Sequence, residues 1–297
     1  MVAAFSAMWK RIRLTLEMIK FEHSVFALPF ALTGALLALR HSGLSARAAG
    51  VKIGWIVLAM VGARSAAMAF NRLIDADIDA RNPRTRMRHL PTGTLTRGFT
   101  WGFVAAAALV LLVAARELNP LCFRLAPVAL GIVFFYSFTK RFTTFSHLVL
   151  GFALGVAPAA AWIAIRGALD PRILWLTAAV TFWTAGFDII YACQDYEFDC
   201  AEGLFSLPRR LGIAGALRVA RLFHALMIAC LLALVYSLRL GPLSLAGVAV
   251  VTGVLVYEHS LVKANDLSRV DAAFFTMNGY VSMLFFVFWA ADVLCRS

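Results

Sequence analysis

Charged residues are scarce in this sequence. Asp, Glu, Lys and Arg make up 15% of its 297 residues, whereas an ordinary soluble domain carries roughly 25%. Hydrophobic residues make up 62%, and the mean hydropathy is +0.81. These values exclude a single water-soluble globule. They also exclude an intrinsically disordered chain, because such a chain needs low hydrophobicity to stay solvated.

Cysteine is sparse as well. The five Cys residues are odd in number and scattered, mostly within or beside apolar runs. They therefore indicate neither a disulfide framework nor a zinc site. The amino-terminal segment lacks the small-residue cleavage site of a signal peptide. We expect it to be retained as a cytoplasmic tail of a single domain that covers residues 1–297.

Apolar runs of membrane-spanning length recur along the chain, since about 20 helical residues cross ~30 Å of hydrocarbon. About nine such runs predict an all-α, polytopic membrane protein with its surface in contact with lipid. Their approximate bounds are 22–40, 51–70, 99–115, 120–137, 145–165, 173–193, 213–237, 243–259 and 273–294.

The basic residues predict which way the chain crosses the membrane. Eighteen of the 28 Lys and Arg residues fall on the side of the amino terminus and nine on the other, with Arg64 inside a span. The positive-inside rule then places the amino terminus and the two longest connections, near 71–98 and 194–212, in the cytoplasm. We therefore interpret the net charge of +12 as a sign of topology in the inner cell membrane, with no nucleic-acid partner.

A first cluster of acidic residues begins inside an apolar span. It reads NRLIDADIDARNPRTR and starts at Asn71. On a helix, Asn71, Asp75 and Asp79 follow one another at intervals of four and share one face, whereas Asp77 points away.

A second cluster, DIIYACQDYEFD, starts at Asp188. If it is helical throughout, Asp188, Asp195 and Asp199 lie within about 40° of one another, and Tyr191 lies at the edge of that stripe. Glu197 falls off the stripe. Asp188 is the deepest member, and an ionisable group inside a span usually faces a cavity.

Neighbouring carboxylates oppose each other's ionisation, and a divalent cation removes that conflict. Ligands that are oxygen alone, without His or Cys, are typical of Mg²⁺, which in proteins often joins carboxylates to substrate phosphates. One acidic cluster is commonly just a solvated helix end. Two clusters with matched spacing favour a magnesium and phosphate site.

Together, the patterns N-x-x-x-D-x-x-x-D and D-x-x-Y-x-x-x-D-x-x-x-D resemble the two signatures of the UbiA superfamily of intramembrane aromatic prenyltransferases. Many members have Asp directly after the Asn, where this chain has Arg72. The resemblance extends from about Lys20 to the last span. Further matching residues are Arg84, Thr85, Arg88, Pro91, the Y-x-x-x-K pair Tyr136 and Lys140, Ser206, Leu207, Pro208 and Gly212.

The resemblance implies nine helices around a central cavity, capped on the cytoplasmic side by the two acidic loops. It implies transfer of a polyprenyl group from its diphosphate to an aromatic ring carbon, with Mg²⁺ as cofactor. We assign the predicted site residues to three sets. Metal ligands are Asn71, Asp75, Asp79, Asp195 and Asp199; substrate-binding residues are Lys20, Arg64, Arg72, Arg84 and Arg88; catalytic residues are Tyr136, Lys140, Asp188 and Tyr191.

Two of these residues concern the aromatic acceptor. Asp188 is predicted to orient the acceptor's hydroxyl or to take up a proton. Arg64 lies seven residues before Asn71 and hence about 10 Å further along the same helical face. It either receives a carboxylate of the acceptor or pairs with a carboxylate such as Asp188. The histidines show no metal-like spacing and are expected in the core or at the interface.

The acceptor itself is suggested by resemblance alone. The segments IKFEHSVFALPFAL and GFDIIYACQDYEFD are similar to polyprenyltransferases acting on 4-hydroxybenzoate or dihydroxynaphthoate, which implies ubiquinone or menaquinone synthesis. Alternatives are another superfamily activity, such as haem or chlorophyll prenylation, or a secondary transporter of an anionic solute. Acidic clusters at span ends, away from the midplane, favour the enzyme.

Overall fold

The structure, a computed structural model, describes residues 9, 13–19, 27–40 and 42–296. Over these residues the chain is almost wholly helical. The α-helices are α1 (Leu28–Leu39), α2 (Ala46–Arg81), α3 (Arg97–Leu118), α4 (Pro120–Thr139), α5 (Ser146–Arg166), α6 (Leu174–Ala192), α7 (Tyr196–Ala201), α8 (Leu207–Ser237), α9 (Pro242–Leu261) and α10 (Asn278–Cys295). Short 3₁₀-helices at Pro171–Ile173 and Cys193–Asp195, and a π-helix at Ala272–Met277, join some of them.

Eight helical segments within the described ranges are long and apolar enough to cross a membrane. Seven contain α2, α3, α4, α5, α8, α9 and α10, and the eighth runs from Pro171 to Ala201 through α6 and α7. The shorter apolar helix α1 covers the predicted first span, of which residues 22–26 lie outside the described part. The prediction of an all-α membrane fold with about nine helices is confirmed.

The helices form a closed ring. Each spanning helix contacts its neighbour in sequence, and α10 returns to contact α1, which also packs against α5. Large aromatic side chains fill the place where α1, α6 and α10 meet: the ring centroid of Phe30 lies 4.8 Å from that of Trp183 and 4.7 Å from that of Phe285. Successive helices alternate in direction. One end of the ring therefore holds the C-termini of α2, α4 and α6 and the N-termini of α5 and α8. We call this the motif end.

The two long connections are shorter than the sequence predicted. α2 continues to Arg81, so the first acidic cluster is helical and its loop begins at Asn82 instead of residue 71. The second connection contains α7 and the first turns of α8. Within α8, Gly212 has a φ of 69°, a left-handed conformation that favours glycine. This kink separates the first residues of α8 from the rest of the helix.

Two glycines allow α5 to approach its neighbours closely. A Cβ atom at Gly34 of α1 would clash with the carbonyl oxygen of Pro158, and one at Gly151 of α5 would clash with that of Thr181. We expect Gly34→Ala and Gly151→Ala each to cost about 1–3 kcal/mol of stability through overpacking. Thermal unfolding in detergent measures this. The exposed Gly131→Ala, whose Cβ would meet nothing within 4 Å, is the control and should not lower the midpoint, because Ala is the better helix former.

Candidate active site

The first acidic cluster lies along one face of α2, as its spacing predicts. Asn71 Nδ2 donates a hydrogen bond of 3.1 Å to Asp75 Oδ2. The side chain of Asp79, one turn further on, is only 9% exposed. Asp77 is 77% exposed and pairs with Arg97 on the outside of the bundle. The face of α2 that carries Asn71, Asp75 and Asp79 therefore points into the bundle, whereas Asp77 points to solvent.

Two arginines approach Asp79. Arg88 Nη1 lies 2.7 Å from each oxygen of the Asp79 carboxylate, and Arg72 Nη1 lies 4.0 Å from Oδ2. Arg88 reaches this position because the chain turns back after α2, where the Thr85 hydroxyl donates to the Asp79 carbonyl at 3.1 Å. Arg72 thus places a positive charge on the inner face, at the position where the family pattern often has an acid.

The second cluster does not form one continuous α-helix, which corrects the prediction of a single stripe. α6 ends at Ala192, and a 3₁₀ turn at Cys193–Asp195 precedes α7. A 3₁₀ turn holds 3.0 residues where the α-helix holds 3.6, so it rotates the later residues relative to the earlier ones. Asp199 is nevertheless buried, whereas Glu197 is exposed as expected.

The loop after α2 joins the two clusters. Asn82 Nδ2 donates to Asp195 Oδ1 at 3.0 Å. Arg84 donates to both oxygens of the same carboxylate at 2.9 and 2.5 Å, and to the Tyr191 hydroxyl at 3.1 Å. Burial disfavours the charge on Arg84, but its hydrogen bonds and attraction to Asp195 raise the pKa of the guanidinium above its ordinary value. The two clusters, more than 100 residues apart in sequence, are thereby held face to face.

Lys140 lies between the clusters. It follows the last turn of α4, and its carbonyl accepts a hydrogen bond of 2.8 Å from the backbone of Phe205, which lies just before α8. Burial disfavours the charged ammonium. Electrostatic attraction to Tyr136, Asp75 and Asp188 is the larger influence, and it raises the pKa of Lys140. This ammonium therefore remains charged near residues of both clusters.

Asp188 contacts a residue that the sequence did not single out. The Nδ1 atom of His147, near the start of α5, lies 2.6 Å from Asp188 Oδ2. His147 is 1% exposed, in accordance with the expected core location of the histidines. Its partner could not be foreseen, because the two residues are 41 positions apart and share no motif.

Arg64 is separate from these pairs. Its Nε atom is buried and has no hydrogen-bond partner among the described residues, and no ion pair joins Arg64 to a carboxylate in that part of the chain. Asp188 bonds to His147 instead, so the alternative that Arg64 pairs with Asp188 is wrong for this structure. The predicted substrate-binding residue Lys20 lies outside the described residues.

The carboxylates at the motif end are suitable ligands for magnesium, but those described are not arranged as a metal site. Among the described residues, no three His, Cys, Asp or Glu side chains converge as a metal site would require. Instead, Arg88 binds Asp79, Arg84 binds Asp195, and Arg141 Nη2 lies 3.7 Å from Asp75 Oδ1. The donor set is all oxygen and partly buried, which fits a hard divalent cation. For such an ion to bind, these arginines would have to exchange partners.

Comparison with known proteins gives matches over nearly the whole chain. The profile of the UbiA prenyltransferase family matches residues 27–288. The 4-hydroxybenzoate octaprenyltransferase of Vibrio atlanticus is 31% identical over 239 residues, which are 78% of this chain and 83% of that protein. The 4-hydroxybenzoate solanesyltransferase of a Synechocystis species is 35% identical over 208 residues, 69% of this chain and 70% of that protein.

Solved structures share the fold. A UbiA homologue from Aeropyrum pernix in its apo form has a TM-score of 0.81 and 32% identity, and the match covers 93% of this chain and 98% of that one. A UbiA homologue from Archaeoglobus fulgidus, bound to GPP and Mg²⁺, has a TM-score of 0.71 and 22% identity, with coverage of 95% and 99%. At that identity, the second match speaks for the fold alone.

Proposed function

The chain belongs to the UbiA prenyltransferase family, and from this premise we propose that it transfers a polyprenyl group from a prenyl diphosphate to an aromatic acid. The acceptor we propose is of the 4-hydroxybenzoate or dihydroxynaphthoate type, in ubiquinone or menaquinone synthesis. In the reaction, a bond forms between the prenyl C1 and a ring carbon, the bond from C1 to the diphosphate oxygen breaks, and the ring releases a proton.

The observation that carries the proposal is the meeting of two acidic clusters with Arg84, Arg88 and Lys140 at the motif end. A guanidinium fork binds phosphate oxygens as well as it binds carboxylate oxygens. A diphosphate arriving there would meet three positive side chains, two of which, Arg84 and Arg88, are already held by carboxylates. The apolar tail of the same substrate would extend between the spanning helices.

Magnesium is the proposed cofactor. Asp75, Asp79, Asp195 and Asp199, with the Asn71 amide oxygen, would hold it, and the ion supplies positive charge that stabilises the departing diphosphate. With the carboxylates holding an ion, Arg84 and Arg88 would be available to bind diphosphate oxygens, and Arg72 would add a further charge beside Asp79.

Aromatic side chains line the approach to Asp195. The Tyr191 ring lies 5.1 Å from the Arg84 guanidinium and 4.2 Å from the ring of Phe274, in the π-helix before α10. Phe274 also meets Phe187 edge-on at 5.3 Å. Such rings exclude water and stabilise an allylic cation through their faces, an effect of about 0.5–2 kcal/mol per ring. Tyr136, one turn before Lys140 in α4, is proposed to act in the same way.

The acceptor is proposed to bind deeper in the bundle. Arg64 has a buried Nε that finds no partner within the described part of the chain, and a carboxylate of the aromatic acid would satisfy it. Asp188 would accept a hydrogen bond from the acceptor's hydroxyl, which orients the acceptor, or take up the proton that the ring releases. We propose that the motif end faces the cytoplasm, in accordance with the excess of Lys and Arg on that side.

The function is tested by incubating the purified protein with Mg²⁺, a labelled prenyl diphosphate and a panel of aromatic acids. We expect prenylated product with a hydroxylated aromatic acid and none in excess EDTA. Product that persists in EDTA would contradict the magnesium assignment. If no acceptor yields product, uptake of an anionic solute into proteoliposomes tests the transporter alternative.

Arg64→Lys is expected to raise the KM for the acceptor about tenfold, because a lysine cannot reproduce a two-point contact with a carboxylate and a charged hydrogen bond is worth about 1.5–3 kcal/mol. The KM for the prenyl diphosphate should stay unchanged. Steady-state kinetics with each substrate varied in turn measures both values. The exposed Arg116→Lys, at the far end of α3, is the matched control. Equal increases in both KM values would refute the role.

A further inference from the structure

His147 is not part of either acidic motif, and it contacts the residue assigned to the acceptor. We infer that His147 is a positioning residue: it holds the Asp188 carboxylate in one orientation so that Oδ1 is presented to the acceptor's hydroxyl. This inference rests on the proposed function, since Asp188 needs a fixed orientation only if it acts on an acceptor.

The two nitrogen atoms of His147 have different partners. Nδ1 lies 2.6 Å from Asp188 Oδ2, and Nε2 lies 3.4 Å from the backbone nitrogen of Leu207. A backbone N–H only donates, so Nε2 must accept and carries no proton. The single proton of the neutral ring is therefore on Nδ1, from which it is donated to Asp188. In an imidazolium, Nε2 would also carry a proton, and this N–H would face the N–H of Leu207 with no acceptor between them.

The Leu207 amide is available because of its place in the fold. Leu207 is the first residue of α8, and the first amides of a helix have no partner within the helix. Ser206 caps this helix by accepting from Arg209 N at 3.3 Å. The start of α8 thus orients Asp188 through His147.

The side chains involved have little freedom. His147 is 1% exposed, and Ser206 is 2% exposed. The neighbouring Gly151, one turn further along α5, brings the helix close to Thr181 on α6, the helix that carries Asp188. Because α5 and α6 are in tight contact, the backbones that carry the imidazole and the carboxylate have little room to move apart. The contact therefore sets which oxygen of Asp188 is left for the substrate.

Three substitutions separate positioning from packing. His147→Asn keeps an amide donor at the position of Nδ1, His147→Gln moves the amide to the position of Nε2, and His147→Leu keeps neither. We expect His147→Leu and His147→Gln to lower kcat about 10–100-fold, as removal of outer-shell partners does in other sites. His147→Asn should recover most of that loss. The KM for the prenyl diphosphate should be unchanged in all three.

Binding and spectroscopy give readouts that do not depend on turnover. Affinity for a non-cleavable prenyl diphosphate analogue should be the same in the wild type and all three variants. In protein labelled with ¹⁵N-histidine in lipid nanodiscs, the signals lost in His147→Asn should belong to a neutral ring with protonated Nδ1 and bare Nε2.

The possible results are distinguishable. Spectra that show an Nε2-protonated ring or an imidazolium at His147 overturn the inference. Asn and Leu variants that are equally slow also overturn it, and so does an equal loss of analogue affinity in all three variants. Either of these last two results indicates a packing role. Wild-type kcat in His147→Leu also overturns it. A wild-type protein that makes no product with any aromatic acid refutes the proposed function, and the positioning role falls with it.

Discussion

Asp75→Asn is expected to lower kcat about 1,000-fold. The substitution keeps the shape of the side chain and its contact with Asn71 but removes the negative charge proposed to bind magnesium. A metal ion stabilises charge in the transition state by several kcal/mol, and each 1.4 kcal/mol corresponds to a factor of ten in rate. The Mg²⁺ concentration needed for half-maximal activity should also rise. A titration of product formation against Mg²⁺ measures both effects.

Asp77→Asn is the matched control for this experiment. Asp77 belongs to the same helix and the same motif, but it is 77% exposed and pairs with Arg97. The turnover and the Mg²⁺ dependence of the Asp77→Asn variant should stay within about twofold of the wild type, since exposed ion pairs contribute little to stability. If the two variants behave alike, the inner face of α2 does not bind the ion.

Asp188→Asn is expected to reduce kcat about 100- to 10,000-fold, the range typical of a lost general base. The asparagine oxygen still accepts a hydrogen bond from His147, so the local structure should be kept, but the amide cannot take up the proton released by the ring. Affinity for the prenyl diphosphate analogue should be unchanged. Pre-steady-state measurement of bound product distinguishes a slow chemical step from slow release.

Two results would contradict this role for Asp188. Near-normal turnover of Asp188→Asn with intact diphosphate binding would show that neither proton uptake nor orientation by this carboxylate is needed. A parallel loss of turnover and of diphosphate affinity would instead assign Asp188 to the diphosphate side of the site. Asp188→Glu, which keeps the charge but moves it, is expected to be impaired mainly in the KM for the acceptor.

Features that depend on local periodicity were predictable from the sequence. The helical spacing of Asn71, Asp75 and Asp79 predicted an inward face with Asp77 outside, and the structure agrees. Runs of apolar residues predicted the spanning helices because helix length is tied to bilayer thickness. The bounds were less accurate: α2 continues for 11 residues beyond the predicted span end at 70, and these last turns bury Leu73, Ala76 and Asp79.

Features that depend on contacts between distant segments were not predictable. Nothing in the spacing indicates that Arg84 binds Asp195 or that His147 binds Asp188. The 3₁₀ turn at Cys193–Asp195 is a local irregularity that an ideal helical projection does not contain. It explains why the second cluster departs from the predicted stripe although its residues were identified.

The histidines illustrate the same limit inside the membrane. Their sequence spacing gave no indication of a pair, yet His224 Nδ1 lies 3.0 Å from His259 Nε2, with α8 and α9 side by side. The other nitrogen of His224 lies 3.3 Å from the carbonyl oxygen of Trp183. The expectation of a core location is met for His147 and His224, which are 1% and 3% exposed. Their partners required the fold.

The continuity of α2 has a consequence for how the site tolerates changes in chain length. Arg64, Asn71, Asp75 and Asp79 all belong to one uninterrupted helix of 36 residues, so their rotational phase is rigidly coupled. One residue inserted between Arg64 and Asn71 would rotate the amide and both carboxylates by about 100° relative to the arginine. Insertions in this stretch should therefore abolish the site, whereas length changes before Ala46 or after Asn82 would leave that phase intact.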